Sequence, residues 1–191
     1  QERIGYRGRP FMCFKFRTML VNADAEVHKD HLEDLMASNR PMSKLDGADK
    51  RVIPGGIWLR ALGIDELPQL INVMRGDMSL VGPRPCLHYE YEKYSPRHRG
   101  RCGTLPGITG LWQVSDKNST TFEEMIELDL HYVRNHSLGM DLGILLRTIP
   151  AVTWQTYQVR RNKRAAINRA LAANTVVAQS VKESSCSRTS V

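Results

Sequence analysis

The sequence has no run of 18 apolar residues, no Cys-x-x-Cys spacing and no N-terminal stretch with the pattern of a secretory signal. The first absence predicts that no segment of these 191 residues spans a bilayer. The second argues against a zinc site and a thioredoxin-like motif, so we expect buried or incidental thiols, in a reducing compartment, at the four cysteines, Cys13, Cys86, Cys102 and Cys186. His28 and His31 have no evident third and fourth ligand, and we interpret them as surface residues.

The net charge of +7 is concentrated near one end of the sequence. Residues 158–191 hold seven Lys or Arg and one Glu, which leaves 20 basic and 19 acidic residues in 1–157. Because a nucleic-acid-binding protein would carry its positive charge on the folded body, this distribution argues against nucleic acid as a partner. We expect a single domain over 1–157 and a basic, Ser-rich, partly disordered tail over 158–191.

The most informative stretch is residues 56–85, GIWLRALGIDELPQLINVMRGDMSLVGPRP, with Asp65 and Glu66 near its centre. Its apolar residues at spacing i, i+3, i+4 and i+7 predict a helix that buries one stripe, formed by Leu67, Leu70, Ile71 and Met74. Asp65 is then predicted to be the N-cap, with Gly63 and Gly76 ending helices. Two carboxylates would lie at a helix N-terminus, which is also a place that suits phosphate.

Two arginines flank the acidic pair. Arg60 lies five residues before Asp65, and Arg84 stands between Pro83 and Pro85. The Pro-Arg-Pro sequence restricts the backbone around an arginine, the side chain that binds phosphate oxygens in a bidentate way. An aspartate that only caps a helix is the simpler interpretation of Asp65, but this combination favours phosphate chemistry.

The same residues carry a family resemblance. The stretch LR…DELPQLINVMRGDMSLVGPRP resembles the signature of the bacterial sugar transferases, the monotopic polyprenyl-phosphate phosphoglycosyl transferases. The resemblance covers roughly residues 1–150 and continues in QERIG, KFRTM, PGITGLWQV, Asp129 and Tyr132. It implies transfer of a sugar 1-phosphate from a UDP-sugar to polyprenyl (undecaprenyl) phosphate, the first membrane step of exopolysaccharide, O-antigen lipopolysaccharide or glycoprotein glycan synthesis.

The resemblance also implies roles for individual residues. Asp65 is the expected nucleophile, forming a covalent aspartyl intermediate, and Glu66 is expected to hold a metal or handle protons. Both carboxylates are the expected ligands of Mg²⁺. The positive charge that the substrate phosphates require is expected from Lys15, Arg17, Arg60, Arg84 and Lys117.

The fold predicted from these patterns is α+β, a mainly helical single catalytic domain with a small β-hairpin and membrane-interface helices. Met12, Phe14 and Phe16 alternate with polar neighbours and predict a half-buried strand. Residues 103–118 predict the hairpin, beside the active-site helix. Thr121 and Glu124 predict a capping box for a helix to about residue 135, and a further helix is predicted from residue 141, interrupted at residue 150.

Several features point towards a membrane surface. The tyrosines of residues 88–102 are flanked by basic groups, which suits a membrane interface: Tyr89, Tyr91 and Tyr94. The helix predicted from residue 141 is apolar around much of its circumference, so it is either buried or at a membrane surface. The resemblance places the reaction at the cytoplasmic face of the bacterial inner membrane.

Family members carry a re-entrant membrane helix before QERIG, and this sequence begins at that motif. We therefore expect the chain as given to be peripheral or soluble. The alternative hypothesis is an inactive truncated fragment that acts as a non-catalytic membrane-associated protein.

Overall fold

Helices carry most of the regular structure, with two short pairs of strands between them. The structure is a computed structural model that describes residues 1–21, 26–38, 40–41, 51–115, 120–154, 156–157 and 159–161. The strands are β1 (Glu2–Ile4), β2 (Pro10–Met12), β3 (Ser79–Val81) and β4 (Gly107–Thr109). The helices are α1 (Glu26–Ala37), α2 (Gly56–Leu62), α3 (Gln69–Arg75), α4 (His88–Lys93), α5 (Pro96–Arg99), α6 (Leu111–Val114), α7 (Phe122–Asn135) and α8, whose residues 138–154, 156–157 and 159–161 are helical.

Strand β1 pairs antiparallel with β2, with Glu2 opposite Met12. The predicted strand over residues 12–17 ends at Met12, and its predicted burial is wrong, because Met12 and Phe16 are exposed while Cys13 is buried. The reason lies in the hydrogen bonds of this segment. Instead of joining a sheet, the backbone N–H of Phe14 donates to the side chain of Asn72, and that of Phe16 donates to the carbonyl of Asp65.

The hairpin predicted over residues 103–118 is also wrong. Strand β4 pairs in parallel with β3, so that Ser79 is opposite Gly107 and Val81 is opposite Thr109, and residues 111–114 are helical. A parallel pair needs a long connection, which here passes through α4 and α5. Gly107 permits the close approach, since a Cβ atom there would lie 2.1 Å from the backbone nitrogen of Gly82.

Helix α7 supplies much of the core. Its predicted capping box is confirmed, with the Thr121 side chain accepting from the Glu124 N–H and the Glu124 side chain accepting from the Thr121 N–H. The buried face of α7 packs against β1, α4 and α6 in a cluster formed by Ile4, Cys86, Tyr94, Trp112, Phe122, Met125, Ile126 and Leu130. A second cluster joins β3 to α8 through Val81, Tyr132 and Ile144.

Helix α8 begins three residues before the predicted position and continues through Pro150. The Ser137 hydroxyl accepts from the N–H of Met140 at its start. Helical residues lie on both sides of the predicted domain boundary at residue 157, and the Arg160 guanidinium lies 5.7 Å from the ring centroid of Trp58 on α2. Residues 162–191 of the predicted tail lie outside the described residues. No helix in the described part is long and apolar enough to cross a membrane.

Candidate active site

Asp65 lies between two helices, in a single 3₁₀ turn over Ile64–Glu66. Gly63 ends α2 in the left-handed conformation, with φ of 69°, and Gly76 ends α3 in the same way, as predicted. The predicted N-cap role is wrong, because α3 begins four residues after Asp65 and Pro68 precedes it. The simpler interpretation, an aspartate that only caps a helix, fails for the same reason, and Asp65 is only 8% exposed.

Burial controls the electrostatics of Asp65. It raises the pKa of the Asp65 carboxyl, and the charge of Glu66 raises it further. The positive charges of Lys15 and Arg60 oppose this increase in pKa. Lys15 and Arg60, two of the predicted cations, therefore lie close enough to affect the pKa of Asp65. Additional positive charge near the two carboxylates would stabilise their ionised forms.

Lys15 and Glu66 form an ion pair, with Nζ 2.9 Å from Oε1. Both line a small cleft that is open to solvent. Arg84 lines the same cleft, together with Arg3, Gln69, Pro85, Gly107, Ile108 and Gln113. The structure thus brings three of the predicted site residues, Lys15, Glu66 and Arg84, into one cleft whose lining has a net positive charge.

Arg3 is a cleft residue that the sequence did not reveal. Its side chain is 6% exposed, and its Nε has no hydrogen-bond partner among the described residues. Arginine is almost never fully buried unless paired. Burial and the nearby charge of Arg84 lower the pKa of Arg3, which is the behaviour of a cation placed beside another cation. A lone arginine in a short strand has no signal in the sequence that distinguishes it from a solvated one.

The Pro-Arg-Pro turn is hydrogen-bonded at every carbonyl. The four consecutive carbonyls from residue 83 to residue 86 each accept from a different part of the chain: the Gly107 N–H to Pro83 at 2.9 Å, Arg101 Nη2 to Arg84 at 3.1 Å, Arg3 Nη1 to Pro85 at 3.4 Å and the Ile4 N–H to Cys86 at 2.9 Å. The turn is therefore held on several sides by β1, β4 and the 3₁₀ turn over Gly100–Gly103.

Helix α3 turns its polar side inward, contrary to prediction. Asn72 is completely buried, and its side chain accepts from the Phe14 N–H at 3.0 Å and donates to the Met12 carbonyl at 2.7 Å. Gln69 is 3% exposed. The predicted buried stripe lies exposed instead, at Leu67, Leu70, Ile71 and Met74. The helix face towards the core is polar because it must satisfy the irregular backbone that carries Lys15.

The remaining predicted residues fall elsewhere. Arg17 is exposed and does not line the cleft. Lys117 lies outside the described residues. Tyr94, predicted at a membrane interface, is 3% exposed in the core, where its hydroxyl accepts a hydrogen bond from Arg101 Nη1 at 2.8 Å.

By residue type, the two carboxylates of the acidic pair suit a magnesium ion that is shared with a substrate. Among the described residues, no three His, Cys, Asp or Glu side chains come together as a metal site. Mg²⁺ is typically held by one or two carboxylates and by substrate phosphates, with water completing the octahedron. The carboxylates of Asp65 and Glu66 match that need for protein ligands.

A family model described as bacterial sugar transferase matches residues 1–155. The chain belongs to the bacterial sugar transferase family. The resemblance noted in the sequence is thereby confirmed, and with it the assignment to a class of transferase enzymes.

Relatives of this sugar transferase match about four fifths of the chain. Exopolysaccharide production protein ExoY of Sinorhizobium fredii is 44% identical over 153 residues, covering 79% of this chain and 67% of that protein. Galactosyl transferase CpsE of Streptococcus agalactiae is 44% identical over 153 residues, covering 80% and 33%. The UDP-glucose:undecaprenyl-phosphate glucose-1-phosphate transferase of Caulobacter vibrioides is 40% identical over 160 residues, covering 80% and 55%. The chain spans between one third and two thirds of the length of these relatives.

Proposed function

We propose that this sugar transferase moves a sugar 1-phosphate from a UDP-sugar to undecaprenyl phosphate through a covalent intermediate on Asp65. The observation that carries the proposal is the common cleft of Lys15, Glu66 and Arg84, adjacent in sequence to the buried Asp65. The names of the relatives, which include a glucose-1-phosphate transferase to undecaprenyl phosphate, support this choice of substrates. The product would begin exopolysaccharide or lipopolysaccharide synthesis at the cytoplasmic face of the inner membrane.

In the first step, a carboxylate oxygen of Asp65 attacks the phosphorus that carries the sugar. A bond forms between that oxygen and phosphorus, and the bond from phosphorus to the bridging oxygen of the diphosphate breaks. UMP leaves with the bridging oxygen and its electron pair. The leaving phosphate gains charge as the bond breaks, so Lys15 and Arg84 would stabilise it. Asp65 must be ionised to attack, and Lys15 and Arg60 favour that form.

In the second step, a phosphate oxygen of undecaprenyl phosphate attacks the same phosphorus. The bond between Asp65 and phosphorus breaks, which restores the carboxylate and leaves a diphosphate between sugar and lipid. An acyl phosphate is a reactive mixed anhydride, so this transfer needs no further energy source. Asp65 and Glu66 would hold a Mg²⁺ ion, which when bound supplies positive charge to the phosphoryl oxygens.

We also propose that α3 and α8 lie at the lipid surface on which the acceptor is found. Exposed apolar side chains on α3 lie close in sequence to the acidic pair, and Met74 is 80% exposed. Helix α8 exposes Leu142, Leu146 and Ile149, followed by the aromatic pair Trp154 and Tyr157. Apolar faces with aromatic residues suit shallow insertion between lipid headgroups. An acceptor with a long apolar tail presents its phosphate at that depth.

The test uses a panel of UDP-sugars labelled in the sugar, beginning with UDP-glucose and UDP-galactose. The purified chain is incubated with each donor and Mg²⁺, with and without undecaprenyl phosphate in micelles, and UMP and labelled lipid are measured. We expect UMP release with one or more donors and label transfer only with the lipid. Folded protein that releases no UMP with any donor would overturn the proposal and favour the non-catalytic membrane-associated alternative.

A further inference from the structure

Arg101 and Asp129 form a buried ion pair directly behind the Pro-Arg-Pro turn. Arg101 is 3% exposed and Asp129 is 1% exposed, and Nη2 lies 2.5 Å from Oδ2. Apart from this contact, neither oxygen of Asp129 has a hydrogen-bond donor among the described residues. The pair joins the 3₁₀ turn over Gly100–Gly103 to α7.

Arg101 cannot itself touch a substrate. It does not line the cleft and is buried behind it. Its guanidinium donates instead from Nη1 to the Tyr94 hydroxyl and from Nη2 to the carbonyl of Arg84. The cleft arginine and the buried arginine are therefore connected through the backbone of the turn.

A contribution to folding stability does not by itself explain why the Arg101–Asp129 ion pair is present. A buried ion pair loses so much hydration that apolar residues of the same volume are often equally stable or more stable. Apolar residues, however, cannot donate to the carbonyl of Arg84. Two prolines flank that residue and lack N–H groups, so the turn depends on donors from outside to fix its carbonyls.

We infer that Arg101, held by its buried counter-ion Asp129, is a positioning residue that orders the Pro-Arg-Pro turn and so aims Arg84 into the cleft. The inference rests on the proposed function in one respect, that Arg84 binds substrate phosphate. Asp129 keeps the Arg101 charge compensated, and the fork of Arg101 lets one side chain bond the core tyrosine and the turn together. Lysine has no such fork, although it keeps the charge.

The first experiment measures the order of Arg84 directly. The Nε–Hε resonance of Arg84 is assigned in a ¹⁵N correlation spectrum by its loss in Arg84→Lys, and its order parameter is compared between the parent chain and Arg101→Lys. We expect the order parameter to fall from the range of rigid groups to that of flexible ones, below about 0.6. Asp129→Asn is measured alongside, because it disturbs the pair from the other side and serves if Arg101→Lys does not fold.

The control is Tyr132→Phe. It removes another buried hydroxyl, whose single proton is shared between the Asp141 carboxylate at 2.7 Å and the Val81 carbonyl at 3.2 Å, and which has no hydrogen bond to residues 83–86 in the described part of the chain. We expect its melting temperature to fall while the Arg84 resonance stays ordered. Disorder at Arg84 in the control as well would show that any loss of stability loosens the turn and would overturn the inference, as would an ordered Arg84 in Arg101→Lys or Asp129→Asn.

The second experiment is a double-mutant cycle on UMP release. We expect Arg101→Lys to lower kcat/KM by roughly tenfold to 100-fold, because misplacement of a binding group by about 1 Å costs that much. In an Arg84→Lys background the same change should have little further effect, since Arg101 acts through Arg84. Additive losses would overturn the positioning role. Absence of UMP release in the parent would instead count against the proposed function, and the order of Arg84 would still decide this inference.

Discussion

The ammonium of Lys15 lies 2.9 Å from the carboxylate of Glu66, joining two residues that are 51 positions apart in the chain. The contact brings the KFRTM motif to the acidic pair and places a cation beside two carboxylates. It also partly neutralises Glu66, whose charge raises the pKa of Asp65. The two carboxylates therefore have different surroundings: Asp65 is buried, and Glu66 is paired and faces the cleft.

This difference predicts unequal effects of removing each charge. Asp65→Asn should reduce UMP release to below about 10⁻⁴ of the parent rate, because an amide cannot form the acyl phosphate. Glu66→Gln should leave measurable release, since the nucleophile remains. Single-turnover assays with radiolabelled UDP-sugar would measure both, and label retained on denatured parent protein but absent from Asp65→Asn would identify the intermediate. Release by Asp65→Asn at near the parent rate would contradict the covalent mechanism.

A second prediction concerns the shape of the cation at the turn. Arg84→Lys keeps a positive charge in the cleft but loses the planar fork that binds two phosphate oxygens, so we expect kcat/KM for UMP release to fall by roughly tenfold to 100-fold. The matched control is Arg75→Lys, an exposed arginine at the end of α3 whose guanidinium lies 5.1 Å from the ring centroid of Phe14. Equal activities in the two variants would mean that the turn has a structural role only.

The residues that were predicted correctly are those whose signal is local. Gly63 and Gly76 end helices because a left-handed residue is needed there, and the Thr121 capping box lies within four residues of sequence. The parallel pairing of β4 could not be predicted in this way, because its partner Ser79–Val81 is distant in the chain and a local alternation fits a hairpin equally well.

The orientation of α3 shows a different limit. Apolar spacing correctly predicted an amphipathic helix, but it does not say which face meets the core. Here Asn72 is needed inside to bond the backbone of residues 12–14, and the apolar stripe is therefore left outside. The candidate site residues show a similar division. The motifs predict roles for Asp65, Glu66 and Arg84, whereas Arg3 and Arg101 became visible only through burial and hydrogen bonds.

A third prediction uses the pH dependence of stability. Burial raises the pKa of Asp129 to about 6, and the attraction of Arg101 only partly opposes this. Between the unfolded pKa, near 4, and the folded pKa, the native state holds a proton that the unfolded state does not, so stability should fall as pH rises through this window. Each pH unit between the two pKa values lowers the free energy of unfolding by about 1.4 kcal/mol.

The measurement is the free energy of unfolding in urea for the parent chain and for Asp129→Asn, from about pH 4 to pH 7.5. Asparagine does not titrate, so the pH dependence of the difference in free energy of unfolding between the two proteins reports the titration of Asp129. We expect the advantage of the parent over the variant to shrink as pH rises. An advantage that grew with pH would mean that the attraction of Arg101 outweighs burial and that Asp129 titrates as an ordinary paired carboxylate.

The last prediction concerns the apolar face of α3. Leu70 and Met74 are 43% and 80% exposed, on a helix whose inner face is occupied by Gln69 and Asn72. Replacing both with glutamine should change the free energy of unfolding by less than about 0.5 kcal/mol, because neither side chain supports the core.

If this face meets lipid, the same change should weaken binding to phosphatidylglycerol and phosphatidylethanolamine vesicles by about tenfold for each side chain. Vesicle sedimentation measures that binding, and the matched control is Leu80→Gln, an exposed leucine on β3, which belongs to neither of the two helices proposed to meet lipid. Transfer to undecaprenyl phosphate in vesicles should fall with binding, whereas UMP release from the soluble donor should stay near the parent rate. Vesicle binding that is unchanged in the α3 variant, or equally reduced in the Leu80 control, would contradict a lipid-facing role for this helix.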